Sequence, residues 1–178
     1  MIWSTIFRVA SPTDRTPVSA EAHPGGWLAS LVADAVTDGS AAARGRAVAA
    51  VSPELVERLL HGGFKNRPAD LKVVATGTGA SPGAASGVVC LSCEEVIDAV
   101  DRDEPAILVC TETSPSDEPG MRLAEGIVTT RGGMASHTAV VARGWGLPAV
   151  VGVEDLRVNV GHATIGGQRF EPGDRVSL

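Results

Sequence analysis

Tyrosine is absent from the 178 residues, and aromatic side chains make up only 3% of them. The stacking platforms on which single-stranded nucleic acid usually lies are therefore scarce. Positive charge is also short, with 15 Lys and Arg against 21 Asp and Glu and a formal net charge of −6. That balance argues against a sequence-independent grip on nucleic acid or on an anionic membrane. Cysteine occurs three times, an odd number that makes no disulfide framework and fits a reducing compartment. No apolar run reaches the roughly 18 residues of a membrane span. The opening MIWSTIFRVASPTDR has no basic region followed by an apolar block. A cytoplasmic protein with neither nucleic acid nor membrane as partner is expected. The length suits one domain with a sizeable core plus a minor segment, and excludes a large multi-site enzyme.

What the chain does have is Ala, Val and Gly in abundance, so the core must be built from small aliphatic side chains. Residues 1–26 hold Pro12, Pro17, Pro24 and Gly25-Gly26 among polar residues, and read as an irregular arm. A helical segment follows over 27–66. Leu28, Leu31, Val32, Ala35 and Val36 repeat at helical spacing, and Ser52-Pro53-Glu54 opens a second helix through Leu59 and Leu60. The Ala-rich stretch at 41–50 reads as a solvated helix or linker. Gly62, Gly63 and Pro68 break the pattern, and GTGASPGAASG at 77–87 reads as tight turns leading into a first strand.

From residue 67 to 178 an α/β domain is expected, because β-rich runs alternate with helical ones. The strands are Val88–Leu91, Ile107–Cys110, Gly126–Thr130 and Ala149–Val153, with helices over 94–100 and 136–143. The chain then ends in a hairpin turning at Gly166-Gly167 and a strand after Pro172-Gly173.

Chemistry concentrates in TTRGGMASHTAVVARGWGLPAVVG, residues 129–152, where a strand runs into two glycines, a Ser-His pair and a short helix. Gly132 and Gly133 permit backbone angles and a close approach that a side chain would forbid. Ser136 can cap the helix and place His137 in its first turn. Unpaired N–H groups and the positive dipole end favour an anion there, by roughly 0.3–1 kcal/mol per exposed charge. An imidazole with an ordinary pKa of about 6.5 offers a neutral nucleophilic nitrogen at cellular pH, and the N–P bond it forms stays transferable. Arg131 and Arg143 flank the His as candidate partners for phosphoryl oxygens. A His merely packed above Val140 and Val141 is the bland alternative, and the Gly-Gly turn argues against it.

The segment GGMASHTAVVARGWG resembles the phosphohistidine motif of the phosphoenolpyruvate-utilising enzymes, and within them the pyruvate, phosphate dikinase family. ELVERLLHGGF at 54–64, ATGTGASPGAASGVV at 75–89, ETSPSDEPGM at 112–121 and AEGIVTTRGGM at 124–134 resemble successive pieces of that family, in order. Roughly residues 50–178 are covered, and the segment from Trp27 is more weakly similar to the connector before the carrier domain. Phosphoenolpyruvate synthase and enzyme I of the sugar phosphotransferase system look similar around the His but usually have Arg where this chain has Met134.

The resemblance implies a swivelling β/β/α domain over 67–178, preceded by a small helical segment. It implies that His137 is phosphorylated at an ATP-grasp domain and then delivers the group to a barrel domain where phosphoenolpyruvate and pyruvate interconvert. Arg131, Gly132, Gly133, Ser136 and Arg143 are its expected phosphate or docking supports. No cofactor or metal is expected in this chain, and Mg and ATP are expected on the partner domains. The family usually has Thr two residues before the His, a regulatory phosphorylation site in some members. Here that position is Ala135, which excludes such a switch at that residue.

Other motifs take blander readings. The 77–87 run lacks the Lys-Ser/Thr ending of a nucleotide loop. Cys90 and Cys93 form a single C-x-x-C with no second ligand pair, and Glu94, Glu95, Asp98 and Asp101 read as a solvated helix face. His61 falls in the LLH segment, which the resemblance makes structural, and His162 beside Gly161 reads as a surface residue. A reading of another class is a degenerate swivel domain that docks to kinase-like partners without carrying phosphate. Intact Gly132-Gly133 and Ser136-His137 favour the carrier.

Overall fold

The computed structural model describes residues 3–8, 33, 36–49 and 73–178. The chain divides into two compact units: Met1–Val18 with Asn66–Leu178, and Ser19–Lys65. In the smaller unit, Ala41–Ala49 is a helix (α1) that buries Ala43 and Ala47, with Ser40 Oγ accepting from Ala43 N at 3.0 Å. The helices expected over 27–36 and from Ser52, and His61, lie outside the described residues.

The larger unit is an α/β fold of ten strands and three helices among the described residues. In chain order these are β1 (Trp3–Arg8), β2 (Val73–Ser81), β3 (Ser86–Cys90), α2 (Cys93–Asp101), β4 (Ala106–Cys110), α3 (Glu118–Leu123) and β5 (Gly126–Thr129). They continue with α4 (His137–Trp145), β6 (Ala149–Val151), β7 (Leu156–Asn159), β8 (His162–Ile165), β9 (Gln168–Phe170) and β10 (Arg175–Ser177). Seven strands close a barrel in the order β1-β10-β3-β4-β5-β6-β2, and β7-β8-β9 form a separate sheet. Strands β3 to β6 run parallel, each joined to the next through one helix, whereas β1, β2 and β10 pair antiparallel. No helix among the described residues is long and apolar enough to cross a membrane.

Two cores result from the period-2 alternation of the parallel strands. Val89, Ile107, Val109, Val128 and Val150 point one way, into a cluster completed by Leu156, Ile165 and Phe170. Their neighbours Val88, Cys90, Leu108, Ile127 and Val151 point the other way and pack on Val96, Ala99, Met121, Ala139 and Ala142 of the helices. Both faces of these strands are buried, which is why they read as continuous aliphatic runs. The small Ala side chains let α2 and α4 approach the sheet closely.

Two expectations need correction. Residues 3–8, read as part of an irregular arm, form β1, which pairs with β2 from Trp3↔Thr78 to Phe7↔Val73 and with β10 at Phe7↔Ser177. A six-residue strand whose partners, β2 and β10, lie far along the sequence leaves little local pattern. GTGAS, read as turns, is the second half of β2, where Gly77 gives room for Val150 and Val153; an added Cβ would stand 2.8 and 2.7 Å from their methyls. The hairpin at Gly166-Gly167 and the strand after Pro172-Gly173 form as expected, with both turn glycines at positive φ, 55° and 76°.

Candidate functional site

Parallel pairing of β4 with β5, Cys110 opposite Thr129, sets the loops that follow these strands side by side. Thr130 N and Arg131 N donate to the carbonyls of Cys110 and Thr111 at 3.1 and 2.9 Å, which extends the pairing into the loops. The loop after β5 then turns at Gly132, with φ 113°, where an added Cβ would stand 3.0 Å from Ser136 Oγ. Gly132 is thus required by the turn itself. Gly133 has nothing within 4 Å of the position of a Cβ and stands exposed, open to an approaching molecule.

Ser136 caps α4 in extended conformation, and its hydroxyl accepts from Ala139 N at 3.3 Å. Gly146 closes the helix in the left-handed conformation at φ 69°. His137 therefore occupies the first turn of a nine-residue helix, half-buried, with 28% of its side chain exposed. Position and capping agree with the sequence reading.

The loop after β4 and the start of α3 set a side chain beside each nitrogen of the imidazole. Thr113 Oγ1 lies 3.3 Å from His137 Nδ1 and 2.8 Å from the hydroxyl of Thr138, both Thr side chains being buried. This chain of hydroxyls can accept the Nδ1 proton and pass its own along, and Nε2 then carries the lone pair. On the other side, Glu118 Oε1 stands 3.8 Å from Nε2 and is 40% exposed. Neither Thr113, Thr138 nor Glu118 was singled out from the sequence. Thr113 and His137 lie 24 positions apart, and only the strand pairing brings them together.

Replacing Thr113 by Val is expected to leave the fold in place while slowing phosphoryl acceptance by His137 about tenfold, as loss of a histidine's outer hydrogen-bond partner does elsewhere. Rapid-quench labelling of the variant checks this, with the free Thr138 hydroxyl costing roughly 1–3 kcal/mol of stability.

The two arginines separate. Arg143 donates to the carbonyl oxygens of Met134 at 2.6 Å and Ala80 at 3.1 Å, so it ties the His loop to the end of β2. Its guanidinium is engaged with backbone rather than turned to an open anion site. Arg131 is exposed, and among the described residues its guanidinium has no acidic partner. Met134, at 52% exposure, and Val140, at 56%, are the large exposed apolar side chains nearest His137 in sequence.

The cysteines are free thiols. Burial above all pushes Cys90 up to about 11 and Cys110 up to about 12, and raises Cys93 as well. Cys93 Sγ donates to Asp117 O at 3.2 Å, and Cys90 Sγ to Glu95 O at 3.5 Å. These thiols serve packing, in keeping with the bland reading of the C-x-x-C.

Residues 102–178 match the family described as "PEP-utilising enzyme, mobile domain". The chain is 47% identical over 152 residues to the chloroplastic pyruvate, phosphate dikinase of Flaveria trinervia, covering 83% of this chain and 16% of that protein. It is 44% identical over 137 residues to the pyruvate, phosphate dikinase of Clostridium symbiosum, covering 74% and 15%. The protein of that name from Rhizobium meliloti is 48% identical over 113 residues, covering 64% and 12%. The chain thus spans between about one eighth and one sixth of the length of these relatives. An α/β fold, a His at a capped helix start and these likenesses together place residues 102–178 in the mobile-domain family of the PEP-utilising enzymes, within a chain that is similar to part of pyruvate, phosphate dikinase.

Proposed function

We propose that this chain is a phosphoryl carrier and that His137 is the residue phosphorylated, on Nε2. The carrying observation is the setting of the imidazole, with Nδ1 against Thr113, Nε2 beside Glu118 and the half-buried ring in the first turn of α4. In the loading step the P–O bond of a nucleotide donor breaks and the Nε2–P bond forms. Nδ1 keeps its proton as Nε2 attacks, and Nδ1–H donates to Thr113 Oγ1. In the unloading step the Nε2–P bond breaks as a second acceptor, pyruvate or another small molecule, takes the phosphoryl group.

The supports assigned from the sequence take different parts in this reading. Ser136 holds the helix start, Gly132 makes the turn, Gly133 leaves the approach open, and Arg131 is the cation available to phosphoryl oxygens. Arg143 fixes the loop. The fold would act as the swivelling β/β/α domain of the family, and residues 27–66 as its connector.

Enclosing a transferring phosphoryl group takes metal ions and several positive donors around it, which an open surface with one free arginine does not supply. Mg, ATP and the acceptor pocket therefore belong to partners: an ATP-grasp domain and an acceptor domain. The chain alone is expected neither to hydrolyse ATP nor to turn over phosphoenolpyruvate. Mixed with ATP, Mg and the nucleotide-binding portion of a pyruvate, phosphate dikinase, it is expected to gain one acid-labile phosphoryl group, read by intact mass before and after acid. Binding to that portion without any labelling would instead make the chain a docking module, and ATP turnover by the repurified chain alone would refute the division of labour.

A further inference from the structure

Glu118 is set firmly against the reactive nitrogen by a segment with its own anchors. Asp117 Oδ2 accepts from Ser114 N at 2.8 Å and from Ser114 Oγ at 2.8 Å, which fixes the short 3-10 turn Pro115–Asp117. The Cys93 thiol donates to the Asp117 carbonyl, and Gly120 packs so tightly on Cys93 that an added Cβ would stand 2.4 Å from its Cβ. Helix α3 is thereby held to α2, and Glu118, its first residue, projects to within 3.8 Å of His137 Nε2.

A carboxylate in that place does not help Nε2 to hold a phosphoryl group. The oxygens of a phosphoryl group on Nε2 carry negative charge into the gap that Glu118 already occupies. Two opposing fields then meet at one atom: the N-terminus of α4, equivalent to about half a positive charge, holds the group on, and the full negative charge of Glu118 pushes it off.

We propose that Glu118 raises the transfer potential of the phosphohistidine, so that the loaded carrier gives up its group readily. This rests on the reading of His137 as the phosphorylated residue. For partly exposed charges about 6 Å apart at moderate salt, Coulomb repulsion after screening corresponds to a roughly three- to tenfold shift in the partition of the phosphoryl group.

The experiment uses phosphoimidazole as a small donor that needs no partner protein. In the exchange, the N–P bond of phosphoimidazole breaks, Nε2–P forms, free imidazole takes up a proton and His137 loses its Nδ1 proton. Forward and reverse rates give the partition constant, with phosphate at the other histidines subtracted by use of the His137→Ala chain. Glu118→Gln is expected to shift the partition about three- to tenfold toward phospho-His137, and Glu118→Lys further in the same direction. Raising the salt is expected to shrink the difference between the wild-type chain and each variant, since the interaction is between solvent-screened charges.

A merely structural role for Glu118 predicts similar effects of Gln and Lys, with no salt dependence. An unchanged partition in both variants, with His137 labelled in all chains, overturns the inference and leaves the carrier reading standing. Failure of His137 to accept the group in wild type and variants alike overturns both.

Discussion

The His137→Ala chain is expected to take up no acid-labile phosphoryl group under conditions that label the wild type, while unfolding at nearly the same denaturant concentration. Abolition follows because no other side chain at the site offers a nucleophilic nitrogen. The nearby hydroxyls of Thr113 and Thr138 are buried and bonded to one another. Stability should change little because the His137 side chain makes a single hydrogen bond among the described residues, at 3.3 Å, and Thr113 keeps its bond to Thr138 when the ring is gone. A net loss of about 1 kcal/mol is expected for one such bond. Intact mass after labelling and a urea titration check the two halves separately. Labelling of the Ala chain at the wild-type level would place the phosphoryl group on another residue and sink the assignment.

The largest loss of stability is expected far from the site, at Gly166. This residue turns the chain between β8 and β9 with φ 55°, and its Cα lies so close to β2 that an added Cβ would stand 1.7 Å from the carbonyl oxygen of Val74. The obstacle is backbone, in a strand that helps close the barrel, so it cannot rotate aside. Gly166→Ala must push the three-stranded sheet off β2 or distort β2, at a cost of about 3 kcal/mol or more. Gly167→Ala is the control. Its φ of 76° is equally left-handed, but nothing lies within 4 Å of its Cβ position, so only the conformational strain of about 1 kcal/mol remains. Thermal and urea unfolding of the two variants separate steric overlap from backbone preference. Equal losses would mean that the turn yields more easily than its packing implies.

A carrier needs a rigid body and an open reactive atom, and the two are built from different parts of the chain. The parallel strands bury both faces, and their loops meet on one edge, where His137, Thr113 and Glu118 converge. Arg143 contributes by clamping the loop at Met134 and Ala80, beside the open space at Gly133.

The sequence by itself determined the parts of this protein that are local. β-rich aliphatic runs marked β3 to β6, the Gly-Gly pair marked the last hairpin, and Ser136 before His137 marked a capped helix with its His in the first turn. Those features depend on residues within a few positions of one another. The resemblance carried by residues 132–146 pointed to the chemistry proposed for the site, but not to its geometry.

Tertiary structure alone decided what depends on distant pairing. β1 is a strand because β2 and β10 give it hydrogen-bond partners across the barrel, and Trp3–Arg8 carries too few residues to announce that alone. The second half of β2 keeps its glycines because Val150 and Val153 fill the space above Gly77, a neighbour relation that turn propensity cannot show. Thr113 and Glu118 reach the two nitrogens of His137 because β4 and β5 lie parallel and side by side, and Arg143 is spent on carbonyls because β2 ends beside the loop. Local pattern specifies which residues turn, cap and alternate, whereas the setting of the reactive nitrogen is a property of which strands become neighbours.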